Sequence, residues 1–114
     1  MAFYITTPIY YANGEPHIGH AYTNTLADVS ARYHRLYGEE TFFLTGIDEH
    51  GQKVEQAAAL RNITPLQHCD EMVEKFKNLW ARLDIQPDDF LRTTEPRHQK
   101  VVQAVLQQLW DSGQ

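Results

Sequence analysis

Two histidines stand three residues apart in the stretch His17-Ile18-Gly19-His20. The stretch follows a Pro/Gly turn and opens a run of helical periodicity, so both imidazoles are expected on the first turn of a helix. A helix N-terminus offers unpaired N–H groups and about half a positive charge, which together attract phosphate. Imidazoles placed there can donate hydrogen bonds to phosphate oxygens, and Gly19 leaves room for a flat base or ribose. The pattern predicts a site that stabilises charge on a phosphorus under attack, without a covalent nucleophile.

A second polar segment, Gly46-Ile47-Asp48-Glu49-His50-Gly51, follows an apolar run that is typical of a buried strand. Ligands of doubly wound sheets bind beyond the carboxyl ends of the strands, so this loop and the His17 turn are expected to share one crevice. Asp48 can pair there with a ligand ammonium group, while the flanking glycines let the backbone bend.

Each motif also has a structural alternative. One histidine can cap the helix while the other lies on the surface, and the segment 46–51 can be a plain solvated turn. A rival functional interpretation joins His17, His20, His50 and Asp48 as the imidazole and carboxylate ligands of a metal site. Because the spacing of the first two histidines is looser than the i, i+4 pair of zinc-binding helices, we predict no metal site.

The elements that must position these motifs form a βαβ unit. A β-branched and aromatic run from Phe3, prolonged past Pro8, predicts a buried strand that ends near Tyr11. Apolar residues then recur every three or four positions and predict an amphipathic helix of about five turns, closed by Gly38. The members of this apolar stripe are Ile18, Tyr22, Leu26, Val29, Tyr33 and Leu36. A second strand is predicted over Thr41–Thr45.

The second half of the chain predicts three more helices and one more strand. A short helix is expected over Lys53–Arg61, and a longer one begins where Thr64, Pro65 and Gln67 form a capping box. A third strand is expected over Phe90–Thr93, followed by a last helix capped by Thr94. The predicted apolar stripe of the longer helix is Cys69, Met72, Val73, Phe76, Leu79, Trp80 and Leu83, and that of the last helix is Val101, Val102, Val105, Leu106, Leu109 and Trp110. The predicted fold class is α/β, a Rossmann-like parallel sheet with helices on both faces.

Composition narrows the class of protein. The chain has 114 residues, with 10 Lys+Arg against 15 Asp+Glu and a net charge of −5, which argues against a basic face that grips nucleic acid. Its single cysteine excludes an internal disulfide and a multi-Cys zinc site within these residues. No apolar run approaches the ~20 residues that a membrane span needs, so a cytoplasmic protein without a membrane partner is predicted.

Three stretches of the chain resemble the methionyl-tRNA synthetases, a family of class I aminoacyl-tRNA synthetases. The first runs from Thr7 to Thr23 and contains the Tyr-Tyr-Ala-Asn-Gly lead-in to the paired histidines. The second runs from Phe43 to Lys53 and contains Asp-Glu-His-Gly, and the third runs from Phe90 to Glu95. One departure is Ile47, where similar relatives commonly carry Thr.

The resemblance implies that methionine and MgATP form methionyl-adenylate, whose methionyl group then passes to tRNA(Met). By this resemblance His17 and His20 hold the ATP phosphates in the transition state, and Gly19 lies under the adenine. The remaining residues that the resemblance assigns belong to the methionine site: Ile9 and Tyr11 line the pocket, and Asp48 binds the amino group.

The resemblance also implies what these residues lack. Residues 1–114 correspond to the N-terminal half of the nucleotide-binding catalytic domain and contain no counterpart of the Lys-Met-Ser-Lys-Ser-like ATP loop, the connective domain, where zinc is possible, or the anticodon-binding domain. We therefore expect a fragment that is inactive alone. Two alternatives stay open, a small nucleotidyltransferase and a non-catalytic module that binds a nucleotide or methionine.

Overall fold

A computed structural model describes residues 2–113 of the chain. Helices and strands alternate along most of its length, as the sequence predicts. In chain order the elements are β1 (Phe3–Thr6), β2 (Tyr10–Tyr11), α1 (Ile18–Leu36), β3 (Thr41–Asp48), α2 (Gln52–Leu60), α3 (Pro65–Arg82), β4 (Asp89–Arg92) and α4 (Pro96–Asp111).

The sheet is parallel and centred on β3. The carbonyl groups of Leu44 and Asp48 accept hydrogen bonds from Thr7 and Ala12, so β1 and β2 follow each other along one edge of β3. On the opposite edge, the Phe43 and Ile47 carbonyls accept from Asp88 and Thr93, which flank β4. The three predicted strands are therefore present, the first of them as the two segments β1 and β2, and β3 lies in the middle of the sheet.

The N-terminal strand is broken at Pro8, where the sequence predicts one continuous strand. Thr6 is the register partner of Leu44 and Tyr10 is the partner of Ile47, so four steps along the edge match three steps of β3. Pro8 has no N–H to give to the ladder, and one residue is accommodated as a bulge. Because side chains alternate along a strand, the extra residue turns Tyr10 toward the core and leaves Ile9 and Tyr11 45% and 61% exposed.

The core lies between one face of the sheet and the helices α1 to α3. From the sheet it takes Phe43, Ile47 and Tyr10. The predicted stripe of α3 is confirmed as its main partner, with Cys69, Met72, Val73, Phe76 and Trp80 buried. On the other face of the sheet, Tyr4 and Phe42 are 59% and 46% exposed, so the packed helices of the described residues cover one face.

Helix α1 forms as predicted but packs through a different face from its apolar stripe. All six stripe residues are exposed, and the buried side chains are Asn24, Ala27, Asp28 and Ala31. The two alanines let the helix backbone lie close to the sheet. Asp28 is stabilised there because it accepts hydrogen bonds from the Gln86 amide, at 2.9 Å, and from Arg32.

The helix ends follow the predicted chemistry with one exception. The Thr64 hydroxyl accepts from the Gln67 amide at 3.2 Å, and the Gln67 side chain accepts from the Thr64 amide at 3.0 Å, so the capping box of α3 is confirmed. Thr94 does not cap α4. The N-cap of that helix is Glu95, and the Thr94 hydroxyl instead donates to the buried carboxylate of Glu49. The apolar stripe of α4 is exposed along its whole length.

Gly46 allows β3 and β4 to approach each other, and replacing it should destabilise the fold. A Cβ at Gly46 would overlap the carbonyl oxygen of Leu91 and lie 3.2 Å from its carbonyl carbon. We expect Gly46→Ala to lower the free energy of unfolding by about 1–3 kcal/mol. Gly14→Ala is the matched control, because nothing lies within 4 Å of its Cβ position. Chemical denaturation of both variants tests this, and equal stability would contradict the packing argument.

Candidate functional site

His17 and His20 cap the first turn of α1 reciprocally. The Nδ1 atom of His17 accepts from the Gly19 amide at 3.1 Å, and the Nδ1 atom of His20 accepts from the His17 amide at 3.1 Å. The two rings stack with their centroids 3.7 Å apart. Since both Nδ1 atoms are acceptors, each neutral ring carries its proton on Nε2. The cap therefore leaves two Nε2–H donors at the positive end of a helix of 19 residues.

The structure thus joins two interpretations that the sequence left as alternatives. Both histidines are capping residues, and both keep one ring nitrogen for a ligand. Gly19 is required by the same geometry, because a Cβ there would lie 2.9 Å from Cε1 of His17. The space against Gly19 is occupied by the His17 imidazole.

Tyr10 supports the ring of His20 from the core side. The two ring centroids are 4.4 Å apart, and Phe76 of α3 lies 5.2 Å from His20. The buried Asn24 side chain donates to the Tyr10 hydroxyl at 2.6 Å, which fixes the tyrosine in place. Burial, and secondarily the charge of His17, lowers the pKa of His20 below its ordinary value. His20 is therefore a neutral donor at pH 7.

Asp48 is the last residue of β3, at the carboxyl edge of the sheet. Its register partner is Tyr11, and paired residues of a parallel sheet share a face. Asp48 and Tyr11 therefore face away from the core, on the side of the sheet that the helices leave open. The carboxylate accepts from the His50 amide at 3.1 Å and keeps further acceptor positions free. This face can bind a cationic group beside an aromatic ring.

The short strand β2 brings the two motifs together. Tyr10 contacts His20 on one face, and Tyr11 pairs with Asp48 on the other. Ile9 and Tyr11 are the exposed residues between the two motifs. Both motifs therefore lie at the carboxyl edge of one sheet, with His20 on the core side of β2 and Asp48 on the opposite face, and a single crevice that holds both stays a prediction.

A buried ion pair beside Asp48 was missed at the level of sequence. The Glu49 side chain is 0% exposed, and its carboxylate accepts from Nε of Arg92 at 2.7 Å and from the Thr94 hydroxyl. The Nη2 atom of Arg92 donates to Oδ1 of Asp70 at 2.5 Å. The sequence shows Glu49 as one more polar residue of a loop, and only the pairing of β3 with β4 reveals its partner.

The other reactive groups do not build a second centre. Within residues 2–113, no three His, Cys, Asp or Glu side chains are grouped so that they could hold a metal ion. His50 Nε2 lies 3.3 Å from the Thr93 carbonyl, so it is engaged with the backbone. Burial raises the pKa of the Cys69 thiol to about 11, which makes it a poor nucleophile. No helix in the described part of the chain is long and apolar enough to cross a membrane.

Comparison with known proteins gives consistent matches along the chain. The sequence profile of the class I tRNA synthetases (M) matches residues 3–114. The methionine–tRNA ligase of Halalkalibacterium halodurans is 56% identical over 111 residues, which is 97% of this chain and 17% of that protein. The Thermotoga maritima methionine–tRNA ligase is 56% identical over 113 residues, or 99% of this chain and 18% of that protein. The chain thus spans less than a fifth of the length of these relatives.

Solved structures agree with the sequence matches. Mycobacterium tuberculosis methionyl-tRNA synthetase in complex with methionyl-adenylate matches with a TM-score of 0.95 and 37% identity, over 99% of this chain and 22% of that one. A second structure of that synthetase, also bound by methionyl-adenylate, matches with a TM-score of 0.85 and 40% identity, over 88% of this chain and 20% of that one. The prediction of a Rossmann-like parallel sheet is thereby confirmed.

Proposed function

Because this chain belongs to the class I tRNA synthetases (M), we propose that its protein activates methionine with ATP and transfers the methionyl group to tRNA(Met). The observation that supports the proposal is strand β2, whose Tyr10 contacts His20 on one face and whose Tyr11 pairs with Asp48 on the other. Residues 1–114 are the N-terminal half of the nucleotide-binding catalytic domain in this proposal, and the place of action is the cytoplasm.

The ATP phosphates are bound at the start of α1. The Nε2–H groups of His17 and His20 donate to phosphate oxygens, and the helix N-terminus adds its partial positive charge. As methionine attacks the α-phosphorus, negative charge grows on the phosphate oxygens and these donors stabilise it. In this proposal the adenine lies against the Gly19 backbone on the side that the His17 ring leaves free.

Methionine is bound on the open face of the sheet. The ammonium group pairs with Asp48, whose carboxylate is held by the His50 amide. Ile9 and Tyr11 lie on the same stretch of edge and supply apolar contact to the side chain. The amino acid and the nucleotide thus approach from opposite faces of β2 and meet at its end.

Magnesium enters as part of the substrate MgATP. Mg²⁺ is usually held by phosphate oxygens and water with one or two carboxylates, and the described residues offer no cage of three acidic or imidazole ligands. A zinc site in a connective domain is a property that the family resemblance makes possible elsewhere, and no residue described here is assigned to it.

The test is methionine-dependent exchange of pyrophosphate into ATP. We expect exchange from the gene product at its natural length and none from the isolated 114 residues. The physical reason is that these residues hold the triphosphate from one side, while each missing donor of this kind costs about 3–4 kcal/mol. Exchange by the pure 114-residue chain would contradict this prediction.

Two outcomes would favour the other functions. Exchange of pyrophosphate without any need for methionine would indicate a nucleotidyltransferase. Calorimetric binding of only ATP or only methionine by the natural gene product, without exchange, would indicate a binding module.

A further inference from the structure

We propose that the buried pair Glu49–Arg92 is a positioning pair, which holds Asp48 in the conformation that binds the substrate ammonium. The inference rests on the proposed function, because it gives Asp48 the role of amine anchor. Neither Glu49 nor Arg92 touches the substrate in this proposal, and both act through the backbone that carries Asp48.

The first argument is the completeness of the contacts around Glu49. Both carboxylate oxygens are occupied, one by Nε of Arg92 at 2.7 Å and the other by the Thr94 hydroxyl. Its amide donates to the Thr93 hydroxyl at 2.9 Å. A buried carboxylate without partners would be strongly unfavourable, so this set of bonds fixes one conformation of the residue.

The second argument is the direct chain connection to Asp48. Consecutive residues at the end of a strand point to opposite faces, so Asp48 faces the open side while Glu49 is held inside. The peptide plane that joins them cannot rotate without breaking the contacts of Glu49. The Asp48 carbonyl is held on the other edge by the Ala12 amide at 2.9 Å.

The third argument is that His50, the residue after Glu49, also connects Asp48 to the end of β4. The His50 amide donates to Asp48 Oδ1 at 3.1 Å, while the His50 ring contacts the Thr93 carbonyl at 3.3 Å. The segment 92–94 at the end of β4 therefore holds both residues that follow Asp48. The Asp48 carboxylate is oriented by the His50 amide, and His50 is itself held in place by Thr93.

The variant Glu49→Gln tests the proposal in the gene product at its natural length. It keeps the size of the side chain but removes the charge that binds Arg92. We expect the dissociation constant for methionine to rise by about tenfold, with that for ATP changed less than about twofold. Glu71→Gln is the matched control, because it breaks the exposed ion pair with Arg61 and should change neither constant.

A double variant separates positioning from a general loss of stability. If Glu49 acts through Asp48, adding Glu49→Gln to Asp48→Asn should cause no further loss of methionine affinity. A methionine analogue without the amino group should bind equally well to the wild type and to Glu49→Gln. Additive losses, or equal losses for methionine and ATP, would overturn the proposal.

A milder variant tests the same proposal with less risk that the protein misfolds. Thr94→Val removes one hydrogen bond to Glu49 and keeps the shape of the side chain. It should raise the methionine dissociation constant in the same direction by about threefold, and an unchanged constant would overturn the proposal. If Asp48→Asn weakens methionine binding but the Glu49 and Thr94 variants do not, the positioning role alone fails. If exchange activity is absent from the wild type, the proposed function itself has failed.

Discussion

Replacing His20 with alanine should lower the rate of methionyl-adenylate formation by about 100- to 1000-fold while methionine affinity stays nearly constant. The variant removes an Nε2–H donor that the helix cap aims outward and that Tyr10 supports from below. A donor whose hydrogen bond strengthens as charge develops on the phosphate affects the rate much more than ground-state binding. Single-turnover kinetics of adenylate formation, with methionine titrated separately, measures both quantities.

The control for His20→Ala is His34→Ala, at the other end of the same helix. His34 pairs with Glu39 and stacks on Phe3, away from the β2 junction, so its loss should leave the rate almost unchanged. A fall in methionine affinity as large as the fall in rate would contradict the assigned role of His20.

Replacing Asp48 with asparagine should weaken methionine binding by about 10- to 100-fold. The substitution keeps the shape of the side chain and removes the charge, and a hydrogen bond to a charged group is worth about 1.5–3 kcal/mol. ATP affinity should hardly change, because a carboxylate gives no attraction to phosphate. Calorimetric titration of each ligand against the wild type and the variant gives the two constants.

Methioninol makes this result specific to the amino group. It keeps the amine and lacks the carboxylate, so it should lose as much affinity as methionine does in Asp48→Asn. Asp111→Asn, on the exposed helix α4, is the matched control and should change neither ligand. Metal analysis completes the comparison, since unchanged affinity or metal lost on mutation would rule out the amine anchor.

The parts of the fold that could be predicted are those in which local chemistry and burial agree. Thr64, Pro65 and Gln67 start α3 as their residue types predict, and the apolar stripe of that helix is its buried face. The family resemblance is confirmed over nearly the whole chain. The position of both motifs at one edge of the sheet also follows from the sequence, since parallel strands end there, whereas the shared crevice stays a prediction.

Other parts depend on neighbours that periodicity does not reveal. The most apolar face of α1 is exposed, whereas Ala27 and Ala31 pack on the sheet because small side chains allow close approach. Thr94 has the right residue type for a helix cap, yet a buried carboxylate from another strand takes its hydroxyl. Glu49 could not be distinguished from a solvated loop residue until β3 and β4 were paired. In each case a contact between distant segments overrides the local preference.

The bulge at Pro8 decides which side chains of β2 face the core. Any variant of this site must therefore keep an odd number of residues between β1 and β2. With an odd insertion between β1 and β2, Tyr10 lies under His20 while Ile9 and Tyr11 lie on the face of Asp48. Deleting one residue there would exchange inside and outside, carrying Tyr10 to the solvent and Tyr11 into the helices. Deleting or inserting two residues would leave each side chain of β2 on its present face. The number of residues between β1 and β2 must therefore stay odd, because only then does Tyr10 contact His20 while Tyr11 lies on the face of Asp48.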